Sequence, residues 1–149
     1  MSENFTYLSE VYGEFLAKIS DYSLLDFSIT EDEINEQLFG YLKPAIRKFY
    51  KCKSNLNIIE DDVGEKIFES ELHPYEIEIL VSLMLVEYLK PTILSSETIK
   101  QSLSDKDFKI HSQANQLREL SLLYRQLKRE AMTMITQYTY FGIEEEKWK

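Results

Sequence analysis

His73-Pro-Tyr-Glu-Ile-Glu-Ile-Leu-Val-Ser-Leu-Met-Leu-Val-Glu-Tyr-Leu-Lys90 is the one stretch of the chain that is apolar on every side. From Ile79 to Val86 only Ser82 interrupts the hydrocarbon, so a helix here has no polar face and must be enclosed by other helices. That makes it the expected core. Pro74 stands where a first-turn proline costs no hydrogen bond, and Pro91 marks the expected end, because its ring removes a ladder bond and clashes with the preceding turn. His73 reads as the N-cap, with Leu72 and Ile77 at the spacing of a hydrophobic staple around it. The span between the prolines is too short, and its flanks too charged, for a bilayer crossing.

On the amino-terminal side, Phe5, Leu8, Val11, Tyr12, Phe15 and Ile19 recur at steps of three and four, which predicts an amphipathic helix over Asn4 to Ile19. Ser20 to Ser28 breaks that period and reads as a connection. Thr30-Glu-Asp-Glu33 then has the form of a capping box, with Ile29 and Ile34 as its staple. The helix it opens runs through Leu38, Tyr41, Leu42, Ala45, Ile46 and Phe49, with a kink expected at Pro44. Arg47, Lys48, Lys51 and Lys53 crowd its end, where cations complement the helix dipole; a basic patch is the other reading. Between Asn55 and Leu72 the helical period is lost, and Leu56, Ile58 and Ile59 face Ile67 and Phe68 across the turn-like Glu60-Asp-Asp-Val-Gly-Glu65. A short β-hairpin or ordered loop near 56–70 is expected. The carboxylates of that turn lack the oxygen-donor spacing of an EF-hand calcium loop.

Beyond Pro91, Ser95 or Ser96 is a candidate cap for a short helix through Ile99 to Leu103. Ser104 or Ser112 then opens the longest periodic segment. Ile110, Leu117, Leu120, Leu123, Tyr124, Leu127, Ala131, Met134, Ile135 and Tyr138 share one broad apolar face. Arg118, Arg125 and Arg129 line one flank of the opposite side, and Glu119 and Glu130 the other. Residues 105–138 hold six basic and four acidic side chains, which leaves 11 basic against 22 acidic elsewhere: +2 for this segment and −11 for the rest. A helix from Ser104 to Tyr138 would span about 50 Å, whereas a globule of this size is about 40 Å across. One end should protrude, and Leu122 among the arginines is uneconomical in a lone molecule. The expected subunit interface is therefore Arg118, Leu122, Arg125 and Arg129. The competing reading is that the amino-terminal helix covers this segment. The chain divides into a single helical domain, 1–138, and an aromatic, acidic tail, 139–149. Tyr138, Tyr140, Phe141, Ile143 and Trp148 form a docking arm, belong to a floppy tail, or fold back on the core.

The expected fold class is thus all-α: a helical bundle with a long C-terminal helix and a short β-hairpin or ordered loop. At 149 residues the length fits one domain. A net charge of −9 argues against wrapping nucleic acid, which requires a cationic face for its phosphates. Met1 to Asp21 lacks a basic start followed by an apolar run, which points to the cytoplasm. A lone Cys52 leaves no internal disulfide. His73 and His111 have no companions at zinc-ligand spacing. Neither a Gly-rich phosphate loop nor a Gly-x-Ser-x-Gly elbow occurs, so the sequence reads as a non-enzyme without metal or cofactor.

Leu83-Met-Leu-Val-Glu-Tyr-Leu-Lys-Pro91, Leu103-Ser-Asp-Lys-Asp-Phe-Lys-Ile-His-Ser-Gln-Ala-Asn-Gln-Leu117 and Ile135-Thr-Gln-Tyr-Thr-Tyr140 resemble the head-tail connector, or adaptor, proteins of tailed bacteriophages. Asp26-Phe-Ser-Ile-Thr-Glu-Asp-Glu-Ile34 and Lys43-Pro-Ala-Ile-Arg-Lys-Phe49 fit the same pattern. The resemblance covers roughly residues 20 to 140. It implies a helical subunit of the virion neck, assembled in the host cytoplasm, that forms a homo-oligomeric ring, a dodecamer, beneath the portal protein. Such a ring extends the DNA channel, docks through a terminal arm and meets the next neck or tail-completion protein, while DNA passes through its lumen without sequence-specific binding. From the residues alone, a small acidic helical binding module that sequesters a host or phage protein is the alternative.

Overall fold

The computed structural model describes residues 5–21, 31–102 and 110–144, with backbone alone at 20–21, 31–33, 92, 94–102, 110–117 and 141–144. In chain order the elements are β1 (Thr6–Tyr7), α1 (Leu8–Asp21), α2 (Glu31–Lys48), β2 (Ile58–Glu60), β3 (Lys66–Phe68), α3 (Pro74–Ser102) and α4 (Ile110–Glu144). The all-round apolar segment is the hub. Helices α1, α2 and α4 all pack on α3, and Ile79, Leu80, Val81, Leu83, Met84, Leu85 and Val86 are all buried. Tyr75 and Ser82 turn toward Met134 of α4, while Tyr88 meets Phe15 of α1 and Tyr41 of α2. With 100° between successive residues Tyr88 lies about 120–140° around α3 from Tyr75 and Ser82, so neighbours pack on well-separated faces and the helix carries no polar stripe.

The start of α3 follows the sequence expectation. His73 is the N-cap: its Nδ1 accepts the Tyr75 amide at 3.1 Å, and its carbonyl accepts the Ile77 amide at 3.1 Å. Glu76 reaches back to accept the His73 amide at 2.8 Å, completing a capping box with imidazole in place of a hydroxyl. Leu72 and Ile77, the staple pair, are both buried. The end differs from expectation. Helix α3 continues through Pro91 to Ser102, so there is no separate short helix capped by Ser95 or Ser96. Pro91 costs about 3 kcal/mol in a helix interior, and continuation across it buries Ile93.

Helix α1 buries Leu8, Val11, Tyr12, Phe15 and Ile19 of the set read from the sequence, but it begins at Leu8 and not at Asn4, and Phe5 lies ahead of it, half-buried. Thr6 and Tyr7 form a strand instead. That strand pairs antiparallel with β3, whose other edge pairs with β2, giving the order β1-β3-β2. Thr6 is buried because its hydroxyl accepts the Leu72 amide at 2.8 Å. The β2–β3 turn closes through the Asp61 amide on the Glu65 carbonyl at 2.8 Å. Within it the Asp61 carboxylate accepts the Val63 and Glu65 amides. Gly64, at φ 86°, takes the left-handed position that this loop length requires.

Helix α2 buries Leu38, Leu42 and Ala45 and runs through Pro44. Its proposed cap, Thr30, and the staple residue Ile29 lie outside the described residues, as do residues 22–28 of the connection expected before them; Ser20 and Asp21, expected in that connection, belong to α1. Of the cations near its end, Lys48 pairs with Glu87 of α3, Lys51 lies over the Tyr50 ring and Lys53 over the Tyr138 ring.

Helix α4 has 35 residues, about 52 Å at 1.5 Å per residue. It runs antiparallel to α3, since Glu76 meets Tyr138 and Ser82 meets Met134. From Glu76 to Ser102 and from Tyr138 back to Ile110 the two helices cover similar distances, about 39 and 42 Å. Leu120, Leu123 and Tyr124 of α4 pack against the same core as Tyr88, where α1 and α2 meet α3. At its other end α4 continues through the expected tail boundary at 138 to Glu144, so residues 139–144 are helix and not an aperiodic arm. A further start for this helix at Ser104 lies outside the described residues.

Candidate functional site

Two features stand out: a buried carboxylate that ties three segments together, and an uncovered face of α4. Glu76 is 3 % exposed, yet it sits on the first turn of α3, where the helix dipole favours negative charge. Its Oε1 accepts the Ser54 hydroxyl at 2.6 Å and the His73 amide at 2.8 Å. Its Oε2 accepts the Tyr138 hydroxyl at 2.6 Å and the Cys52 thiol at 3.3 Å. The Tyr138 oxygen in turn accepts the Lys53 amide at 2.8 Å. Around this node Phe49 meets the Tyr138 ring edge-on at 5.1 Å and Tyr75 stacks parallel to it at 6.4 Å. The segment after α2, the start of α3 and the end of α4 are thereby fastened at one point.

Burial alone would push the Glu76 carboxyl up, but the bonds from Ser54, Tyr138, the His73 amide and Cys52 more than offset it and hold its pKa below the ordinary carboxylate value. Burial first, and then the bond to Glu76, push the Tyr138 phenol up. The Cys52 thiol is pushed up to about 12, by burial and then by the Glu76 charge. It therefore stays protonated at neutral pH, and a protonated thiol is a poor nucleophile. At pH 8 the folded protein should be alkylated by iodoacetamide far more slowly than the urea-unfolded chain, given a thiolate population on the order of a thousandfold lower. Equal rates in the two states, followed by mass spectrometry, would contradict this geometry. The node's donors and acceptors are saturated by one another, so what the arrangement does is hold segments in register.

The second feature holds the residues singled out in the sequence. Arg118, Leu122, Arg125 and Arg129 are all exposed and fall on one side of α4, opposite the side formed by Leu127, Ala131, Ile135 and Tyr138, which is buried. Met132, Thr136 and Tyr140 extend the same stripe. On the helical wheel all seven lie within a sector of about 80°, along about 33 Å of helix. Leu122 is 58 % exposed, Met132 57 % and Tyr140 62 %. Glu119 and Glu130 lie outside the sector, so the stripe carries three cations and no carboxylate. The amino-terminal helix does not cover it.

The expected docking arm is divided. Tyr138 belongs to the core and the Glu76 node, because its position in the helical period turns it toward α3; it is not part of an arm. Tyr140, two residues on, faces outward. Phe141 and Ile143 lie on the helix, with side chains outside the described residues, and Trp148 lies outside them altogether. A groove of about 320 Å³ lies between α1, α2 and the hairpin, and Phe39 on its wall is flanked by Lys43 and Lys66. Its lining mixes Glu36, Glu65 and Lys66. Among the described residues no cluster of His, Cys, Asp and Glu could hold a metal ion, and no helix is long and apolar enough to cross a membrane.

The node escaped the sequence reading because its members come from positions 52, 54, 73, 76 and 138, with no spacing to join them. The one local signal was Glu76 at the third position of a helix capped by His73. These elements define a helical bundle, three helices packed on a central fourth, with a three-stranded antiparallel sheet beside it. No family model, no curated protein and no solved structure matches the chain.

Proposed function

We propose that the protein is a structural head-tail connector subunit of a tailed bacteriophage, assembled as a homo-oligomeric ring on the portal protein. The reading starts from the sequence resemblance and is supported chiefly by one observation: the exposed stripe of Arg118, Leu122, Arg125 and Arg129, with Met132 and Tyr140, on a helix whose other side is buried against α3. Exposed leucine, methionine and tyrosine in line with three arginines form an amphipathic contact surface. The remainder of the chain is acidic, so the stripe has a ready counterpart on a neighbouring copy. An acidic ring would also let DNA pass through its lumen without adhering, because like charge removes the phosphate contacts that give affinity. In this account the ring meets the portal on one side and the next neck or tail-completion protein on the other, and the ring size is twelve.

The test is electron microscopy of the purified protein mixed with its portal. Rings stacked coaxially on portal particles are the expected result, and their loss in Arg125→Glu/Arg129→Glu, with the helical circular dichroism unchanged, would tie assembly to α4. Recovery of one stoichiometric host protein from lysate, with no ring and no portal complex, would favour the sequestering module instead.

A further inference from the structure

The α4 stripe needs a complementary surface, and the chain carries one. Residues 60–71 hold six carboxylates, Glu60, Asp61, Asp62, Glu65, Glu69 and Glu71, against the single Lys66. At the tip of this hairpin Val63 is 81 % exposed, and on its outer strand Ile59 is 42 % exposed. An apolar tip ringed by carboxylates is the chemical inverse of Leu122 and Met132 set among Arg118, Arg125 and Arg129. The tip is also rigidly presented: Asp61 caps the turn through two amides, and β3 is held between β1 and β2.

Position decides how the two can meet. The hairpin lines a groove with α1 and α2 through Glu65 and Lys66, and the stripe lies on the side of α4 turned away from α3. Val63 and Leu122 are both exposed in the single molecule, so hairpin and stripe do not cover each other within it. Between copies they form a heterologous, head-to-tail contact, and that kind of contact closes into a ring when the rotation between subunits divides a full turn.

We propose that the β2–β3 hairpin of one copy docks on the outer face of α4 of the next, with Val63 seated beside Leu122, and Glu60 and Asp62 opposite Arg125 and Arg129. The contact rests on the ring reading given above and names the two surfaces that build it. Opposite charge sets the register, and the exposed apolar side chains supply the burial.

Charge exchange tests it. Arg125→Glu/Arg129→Glu on one side and Glu60→Arg/Asp62→Arg on the other should each abolish assembly in sedimentation velocity, and the variant carrying all four changes should recover it. Asp61 is left intact so that the turn persists. In a Cys52→Ser background, Val63→Cys mixed with Leu122→Cys should give an intermolecular disulfide under mild oxidation, with neither variant doing so alone. If the α4 exchange abolishes assembly while the hairpin exchange leaves it intact and no cross-link forms, the hairpin contact is overturned and the ring reading survives. If the unmodified chain sediments as a monomer with and without portal, both fall.

Discussion

Glu76→Ala should destabilise the protein by about 3–5 kcal/mol in urea unfolding, the largest effect expected from any polar substitution. The truncation removes the acceptor for the Tyr138 and Ser54 hydroxyls, the His73 amide and the Cys52 thiol at once. Hydrogen bonds to a charged group are worth about 1.5–3 kcal/mol each, and buried donors left without a partner add their desolvation. Tyr138→Phe, which deletes one of those donors and strands the Lys53 amide, should cost about half as much. The effect carries a pH signature. Because the folded Glu76 pKa lies below the unfolded one, its contribution is fully present above the ordinary glutamate pKa and is lost as pH falls through that value toward the folded one. Glu76→Gln should therefore flatten the acid side of the stability profile while leaving its neutral part lower. An unchanged acid limb in that variant would show that the carboxylate is not held as described.

Phe15→Ala should cost about 3–5 kcal/mol, typical of a large aromatic removed from a site that cannot collapse. Phe15 is fully buried and lies where three helices meet, its ring 6.0 Å from Tyr41 of α2 and 6.0 Å from Tyr88 of α3. Tyr41 and Tyr88 meet edge-on at 5.6 Å, so the cavity would open beneath a ring pair with no reason to move inward. Phe15→Leu, which fills more of the space, should recover roughly half the loss. A cost under about 1 kcal/mol for Phe15→Ala would mean that α1 is not anchored here.

Both expectations rest on parts of the fold that were unequally visible in the sequence. The hub was legible because an all-round apolar helix has one physical solution, enclosure, and its start was legible because cap, first-turn proline and staple are local signals. The hairpin was legible too, since an acidic turn with a glycine between apolar pairs offers the backbone little else. What could not be read depended on tertiary context. Thr6 and Tyr7 make a strand too short to show alternation, and it exists because β3 presents an edge. Pro91 is a local stop signal overridden by tertiary context, since the helix continues beyond it and buries Ile93. Tyr138 read both as the last residue of the apolar face of α4 and as the first aromatic of a docking arm, and its burial against α3 decides for the face. The exposed arginine stripe was visible as a helical face, but its lack of cover depended on where α1 came to rest.

The central claim is that the outer face of α4 is completed by other copies of the chain. Hydrogen–deuterium exchange mass spectrometry on assembled and dilute protein tests it most directly, reading the peptides that span residues 118–132 and 58–66. The account expects both regions to gain protection on assembly, while the Glu76 node, already closed within each subunit, stays unchanged. Assembly that leaves residues 118–132 as exchangeable as in the dilute protein would contradict it.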